Sequence, residues 1–107
     1  MKLGIVLSSN EAEVAWNAFR LGNTALKAGH EASVFLINAG VEAEDSGDEK
    51  HNVKAQAGTF SNAGGRILAC GTCLKARQKQ KTNTCPISSM ADLLKLVEDS
   101  DKIVSFG

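Results

Sequence analysis

The sequence predicts one α/β domain over residues 1–107, with a mostly parallel sheet of four to five strands and helices on both faces. Three observations lead there. Four short apolar runs recur along the chain, near-continuously apolar rather than alternating, as strands covered on both faces are. Segments of helical periodicity lie between them, so strand and helix alternate. A chain of 107 residues leaves no room for a second core.

"LGIVL" (residues 3–7) supplies the first strand. A helix follows, with Asn10 as the expected N-cap and Glu13 three residues on, in the manner of a capping box. Ala15, Ala18, Phe19, Gly22 and Leu26 share its apolar face, and Gly29 is placed to close it. "ASVFLIN" (residues 32–38) is the second strand. Residues 39–52, "AGVEAEDSGDEKHN", hold five acidic residues and two glycines, and read as a solvated, mobile excursion. A weaker helix is expected over residues 52–62, stopping at Gly64-Gly65. "RILAC" (residues 66–70) is the third strand. The polar, basic "QKQKTNT" (residues 78–84) leads into Cys85-Pro86. Ser88 or Ser89 caps the last helix, where Met90, Leu93, Leu94 and Val97 follow the i, i+3, i+4, i+7 rule. "KIVSFG" (residues 102–107) ends the chain as a strand. In open parallel sheets reacting groups gather beyond the carboxyl ends of strands. That edge should collect Ser8, Ser9, Asn10, both loops and the C-x-x-C of Cys70 and Cys73.

Composition narrows the function. Twelve basic and twelve acidic residues cancel, with a pI near 6.7, so the basic surplus that holds nucleic-acid phosphates is missing. The apolar start ends at Leu7, too short for a signal peptide, and no run approaches the roughly 20 residues of a membrane span. Four Phe, one Trp and no Tyr make a thin aromatic core, which favours self-association as a source of further buried area. Three cysteines, an odd number, argue against a secreted disulfide framework and for a reducing cytoplasm.

The chemistry concentrates in "ILACGTCLKAR" (residues 67–77), where Cys70 ends a strand and Cys73 follows one turn into a helix. Backbone N–H groups at a helix start, with Lys75 and Arg77 nearby, favour a thiolate there. The plainer alternative is a small buried apolar residue at a strand end. Four chemical readings compete. A thioredoxin-like pair would follow the first strand of its motif, with Trp, Gly and Pro as neighbours absent here. Zinc would need Cys70, Cys73 and Cys85 with His30 or His51 as fourth ligand, yet Cys85 has no close second ligand. An iron–sulfur cluster ordinarily takes four cysteines. The fourth reading is a thiol that accepts and passes on sulfur as a persulfide.

"GGRILACGTCLKAR" and "CPISSMADLLKLVEDSDKIVSFG", with the less specific opening "KLGIVLSSNE", resemble the small DsrE/YchN-like sulfur-relay proteins, TusD-type subunits included. The resemblance implies a flavodoxin-like three-layer α/β/α fold, homotrimers or homohexamers, and no bound nucleotide; the sulfur-transfer chemistry it implies requires neither metal nor organic cofactor. By position Cys70 resembles the cysteine that carries sulfane sulfur in relay members, and Cys73 a second cysteine found in some branches; these two are the expected catalytic residues. Donor and acceptor proteins are the implied partners, with no nucleic acid or membrane. The chain departs from the family pattern at Gln78, where a glycine is usual. The competing expectation is a thiol–disulfide switch of Cys70 and Cys73 in a homo-oligomer. His30 is expected at the surface beside the helix cap, His51 as a candidate to favour the Cys70 thiolate, Cys85 as a buried cap residue, and Trp16 in the core or a subunit contact.

Overall fold

The computed structural model describes residues 1–77 and 87–107. Five strands, β1 (Lys2–Leu7), β2 (Glu31–Leu36), β3 (Arg66–Cys70), β4 (Ile87–Ser88) and β5 (Lys102–Phe106), form one sheet. Their order is β4-β3-β2-β1-β5 and every pairing is parallel. Helices α1 (Ala12–Lys27), α2 (Val53–Asn62), α3 (Gly71–Ala76) and α4 (Met90–Asp99) connect them, and a 3-10 helix (Asn38–Asp45) follows β2. From β1 to β3 the chain advances in one direction, so right-handed crossovers put α1 and α2 on one face. There Phe19 and Phe60 meet edge to face at 5.9 Å. The chain returns from β4 across the sheet to β5, which sends α4 to the opposite face. The three-layer α/β/α architecture follows.

The core is densest under α1 and α2, where Leu3, Ile5, Leu7, Val34, Leu36 and Ile67 meet Ala15, Ala18, Phe19, Ala57 and Phe60, all buried. Helix α1 begins two residues after the expected cap. Glu11, not Asn10, accepts from the N–H groups of Glu13 and Val14, because a glutamate at this position reaches two orphan donors. Its C-terminus behaves as expected: Gly29 adopts φ 87° and donates to the Leu26 carbonyl, the left-handed stop that glycine permits.

One expectation needs correction. Residues 39–52 do not form a solvated excursion throughout: the first half is the 3-10 helix, with Gly40, Val41 and Ala43 buried. The acidic residues mask this small apolar face, which sits between β1, β2 and α2. The apolar stripe of α4 is real and is only partly covered: Leu93 packs against the core beside the buried Leu96. Ser89 caps the helix with a full capping box to Asp92, yet only Leu96 is buried, while Met90, Leu94 and Val97 stay exposed. On the same face of the sheet Ile103 of β5 is also exposed. On this side an open groove of about 730 Å³ runs past Ser33, Arg66, Leu68, Ser88 and Leu96. Among the described residues no helix is long and apolar enough to cross a membrane.

Candidate functional site

The parallel register brings the ends of β1, β2, β3 and β5 to a common edge. Cys70 is the last residue of β3 and the N-cap of α3, with extended backbone (φ −62°, ψ 117°). It pairs with Ser88 of β4 and is only 4% exposed. Strand passes to helix with no intervening turn, which requires a small residue at Gly71. A Cβ there would lie 2.8 Å from Ile87 Cγ2 and 3.4 Å from the Ser88 carbonyl oxygen.

Cys73 stands one turn further along α3, half-buried, and both thiols are free. The i, i+3 spacing puts the two side chains on one helix face. Partial burial pushes the Cys73 thiol above its ordinary range. A hydrogen bond with Cys70 and the proximity of that sulfur's charge push the same way, while the Asn38 N–H and Arg77 pull it back.

The 3-10 helix forms the other wall. The Asn38 N–H donates to Cys73 Sγ at 3.2 Å. The Arg77 guanidinium, expected to add positive charge near the thiols, is bound through Nε to Glu42 Oε1 at 2.9 Å and reaches the Cys73 carbonyl through Nη1 at 3.4 Å. The ion pair fastens the end of α3 to the 3-10 helix and offsets much of the guanidinium's field. Neither Asn38 nor Glu42 is singled out by the sequence pattern. The only available signal is an Asn just before a Gly-containing segment, a residue type that tolerates left-handed backbone.

The other expected residues lie elsewhere. His51 is held by Asp48 (3.5 Å), Glu13 (3.9 Å) and the edge of the Trp16 ring (5.1 Å), so its contacts serve the α1 side and not the cysteines. Arg20 lies 4.2 Å over the other part of that cluster, the Trp16 ring. His30 bonds through Nδ1 to the Met1 amino group at 2.8 Å, at the opposite, amino end of the strands. Cys85, Gln78 and the basic loop lie outside the described residues. Among the described residues no three His, Cys, Asp or Glu side chains gather as a metal ion would need.

Fold and site together define a small parallel α/β protein with a pair of free thiols at the carboxyl edge of its sheet. Over residues 1–106 the chain matches the model of the DsrE/DsrF-like family. It belongs to that family. It is 31% identical over 100 residues to an uncharacterized protein of Methanocaldococcus jannaschii, covering 88% of each chain. An uncharacterized protein of Methanopyrus kandleri is 33% identical over 100 residues, covering 88% of this chain and 83% of its own. Among solved structures, YchN of E. coli superposes with a TM-score of 0.84 at 17% identity, covering 99% of this chain and all of its own. A conserved protein of unknown function from Bacteroides thetaiotaomicron reaches 0.74 at 18% identity, covering 97% and 93%. At these identities the structural likenesses speak for the fold alone.

Proposed function

We propose that the protein is a sulfur carrier that holds sulfane sulfur as a persulfide on Cys70 and passes it to an acceptor in a reducing compartment such as the cytoplasm. One observation carries the reading: Cys70 ends β3 as the N-cap of α3, with the free thiol of Cys73 one turn further on, a place where helix-start N–H groups favour a thiolate. Family membership supports it. The Cys70 thiolate attacks the outer sulfur of a donor persulfide, a new S–S bond forms, and the donor's S–S bond breaks with its electron pair leaving on the donor thiolate. Delivery is the same step in reverse, with an acceptor thiolate attacking the outer sulfur and Cys70 leaving. Cys73 acts as the resolving thiol: by attacking Cys70 Sγ it expels the outer sulfur as sulfide and leaves a disulfide for an external thiol reductant to reopen.

The test is intact-mass spectrometry after brief exposure to inorganic polysulfide. The parent and Cys73→Ala should gain one reductant-labile sulfur atom, and Cys70→Ala should not. Uptake by Cys70→Ala equal to the parent would refute the assignment. The same thiol pair also suits the second reading, a disulfide switch without sulfur transfer, which predicts loss of two thiols under mild oxidation and no sulfur gain in any variant.

The reading includes self-association through α4 and β5. Met90, Leu94, Val97 and Ile103 leave an apolar surface next to an edge strand, of the kind that marks an interaction site. The occupant we assign is a second copy of this chain, since a net charge of zero puts no overall repulsion between copies. Trimer and hexamer are both compatible with this surface.

A further inference from the structure

Among the described residues Asn38 is the one non-glycine residue with positive φ, at 54°. Such backbone is sparsely populated by L-residues, and where it persists the surrounding structure enforces it. Here the enforcement is visible. The Ile37 N–H donates to the Leu7 carbonyl at 3.0 Å, and the Gly40 N–H to the Ile37 carbonyl at 2.9 Å, so Asn38 is gripped on both sides. Its side chain is exposed. What the conformation achieves is a direction: the Asn38 N–H points at Cys73 Sγ, 35 residues away in sequence.

We propose that Asn38 is a positioning residue for Cys73, its left-handed backbone aiming an N–H that stabilises the Cys73 thiolate during sulfide release. This role rests on the sulfur-carrier reading. In that step Cys73 gives up its proton and its sulfur attacks Cys70 Sγ. The Cys70–Cys73 bond forms, the bond from Cys70 to the outer sulfur breaks, and the outer sulfur departs with the electron pair and takes up the proton as hydrosulfide. No oxidant is needed, because the persulfide itself is reduced to sulfide. Negative charge grows on Cys73 before it attacks, and the fixed N–H meets it there. The titratable and charged groups on the packed elements are Arg66 and Cys70 on β3, Lys75 on α3 with Arg77 at its C-cap, and Glu42, Glu44 and Asp45 on the 3-10 helix. Substitution at Asn38 leaves all of them in place.

Asn38→Ala removes the residue type that tolerates this backbone, and Asn38→Gly keeps the tolerance; Asn38→Ser serves in place of the alanine chain should that chain not fold. The readouts are the pH dependence of site-resolved Cys73 alkylation by iodoacetamide in the reduced protein, and sulfide release from polysulfide-loaded protein. A lost hydrogen bond to a charged sulfur lowers the thiolate population at pH 7 by roughly tenfold or more. The sulfur's intrinsic nucleophilicity rises by roughly threefold in return. Asn38→Ala should therefore react about threefold slower at pH 7 and reach a higher plateau in alkali, while Asn38→Gly follows the parent. Superimposable profiles for Asn38→Ala and the parent would overturn the proposal. So would an equal fall at every pH, the mark of simple misplacement. Alkylation needs no sulfur loading. If no variant takes up sulfur, the carrier reading fails on its own, and the alkylation profiles still decide whether Asn38 tunes Cys73.

Discussion

Gly40→Ala sets two effects of opposite sign against each other. Replacing glycine in a helical conformation ordinarily stabilises by about 0.4–1 kcal/mol, because the unfolded chain loses freedom. Gly40, however, is where the 3-10 helix touches the end of β1. A Cβ there would overlap the Leu7 carbonyl oxygen and lie 2.8 Å from the Leu7 carbonyl carbon and 3.3 Å from the Ser8 nitrogen. Carbon atoms rest at about 3.5–4.0 Å, so the carbonyl carbon alone demands a retreat of roughly 0.7–1.2 Å, and the overlapped oxygen a larger one. All three obstacles are backbone, and no rotamer relieves them. Overpacking of this kind costs about 1–3 kcal/mol, so a net loss of about 1–2 kcal/mol is expected. For a domain of this size that lowers Tm by roughly 5–15 °C. Gly58→Ala is the control: it sits inside α2 with nothing within 4 Å of its Cβ direction, and should gain about 0.4–1 kcal/mol. Thermal and urea unfolding of the two variants provide the assay. If Gly40→Ala matched or exceeded the parent while Gly58→Ala gained, the close approach that aims Asn38 would be refuted.

Ser89→Ala removes one half of the capping box and should cost about 1 kcal/mol in urea unfolding. The Ser89 N–H at 2.7 Å and hydroxyl at 3.0 Å hold the Asp92 carboxyl below its ordinary value, with the Arg66 field adding to this. Because the folded-state value is depressed, the contribution is present above the unfolded value and fades as pH falls through the folded one. Asp92→Asn should therefore lower Tm at pH 7, and the gap to the parent should narrow in acid; a gap constant down to pH 2 would contradict the linkage. Leu94→Glu, at a position 60% exposed, should change unfolding of the isolated chain by less than about 0.5 kcal/mol. It should nonetheless shift light-scattering mass toward the monomer. An unchanged assembly would remove α4 from the interface.

Local chemistry alone was enough to place most elements. The continuous apolar runs marked β1, β2, β3 and β5, the glycine at 29 marked the end of α1, and Asn52 and Ser89 marked helix starts, because caps and periodicity act between near neighbours. β4, two residues long, carries too little pattern to announce itself, and it exists because β3 offers it an edge. The step from Cys70 into α3 was equally legible, since C-x-x-C at a strand end implies one helical turn between thiols. What residues far apart do to each other was not. The α4 stripe has the period of a buried helix, but whether it meets the sheet, a groove or another chain depends on rotation about the helix axis, which its own sequence leaves open. His51 was as well placed for Cys70 as for Trp16 until the 3-10 helix turned the chain toward α1. Likewise Asn38 and Cys73 stand 35 residues apart with no local pattern to join them. Only the parallel register of β2 and β3, which ends both strands at one edge, brings that N–H to that sulfur.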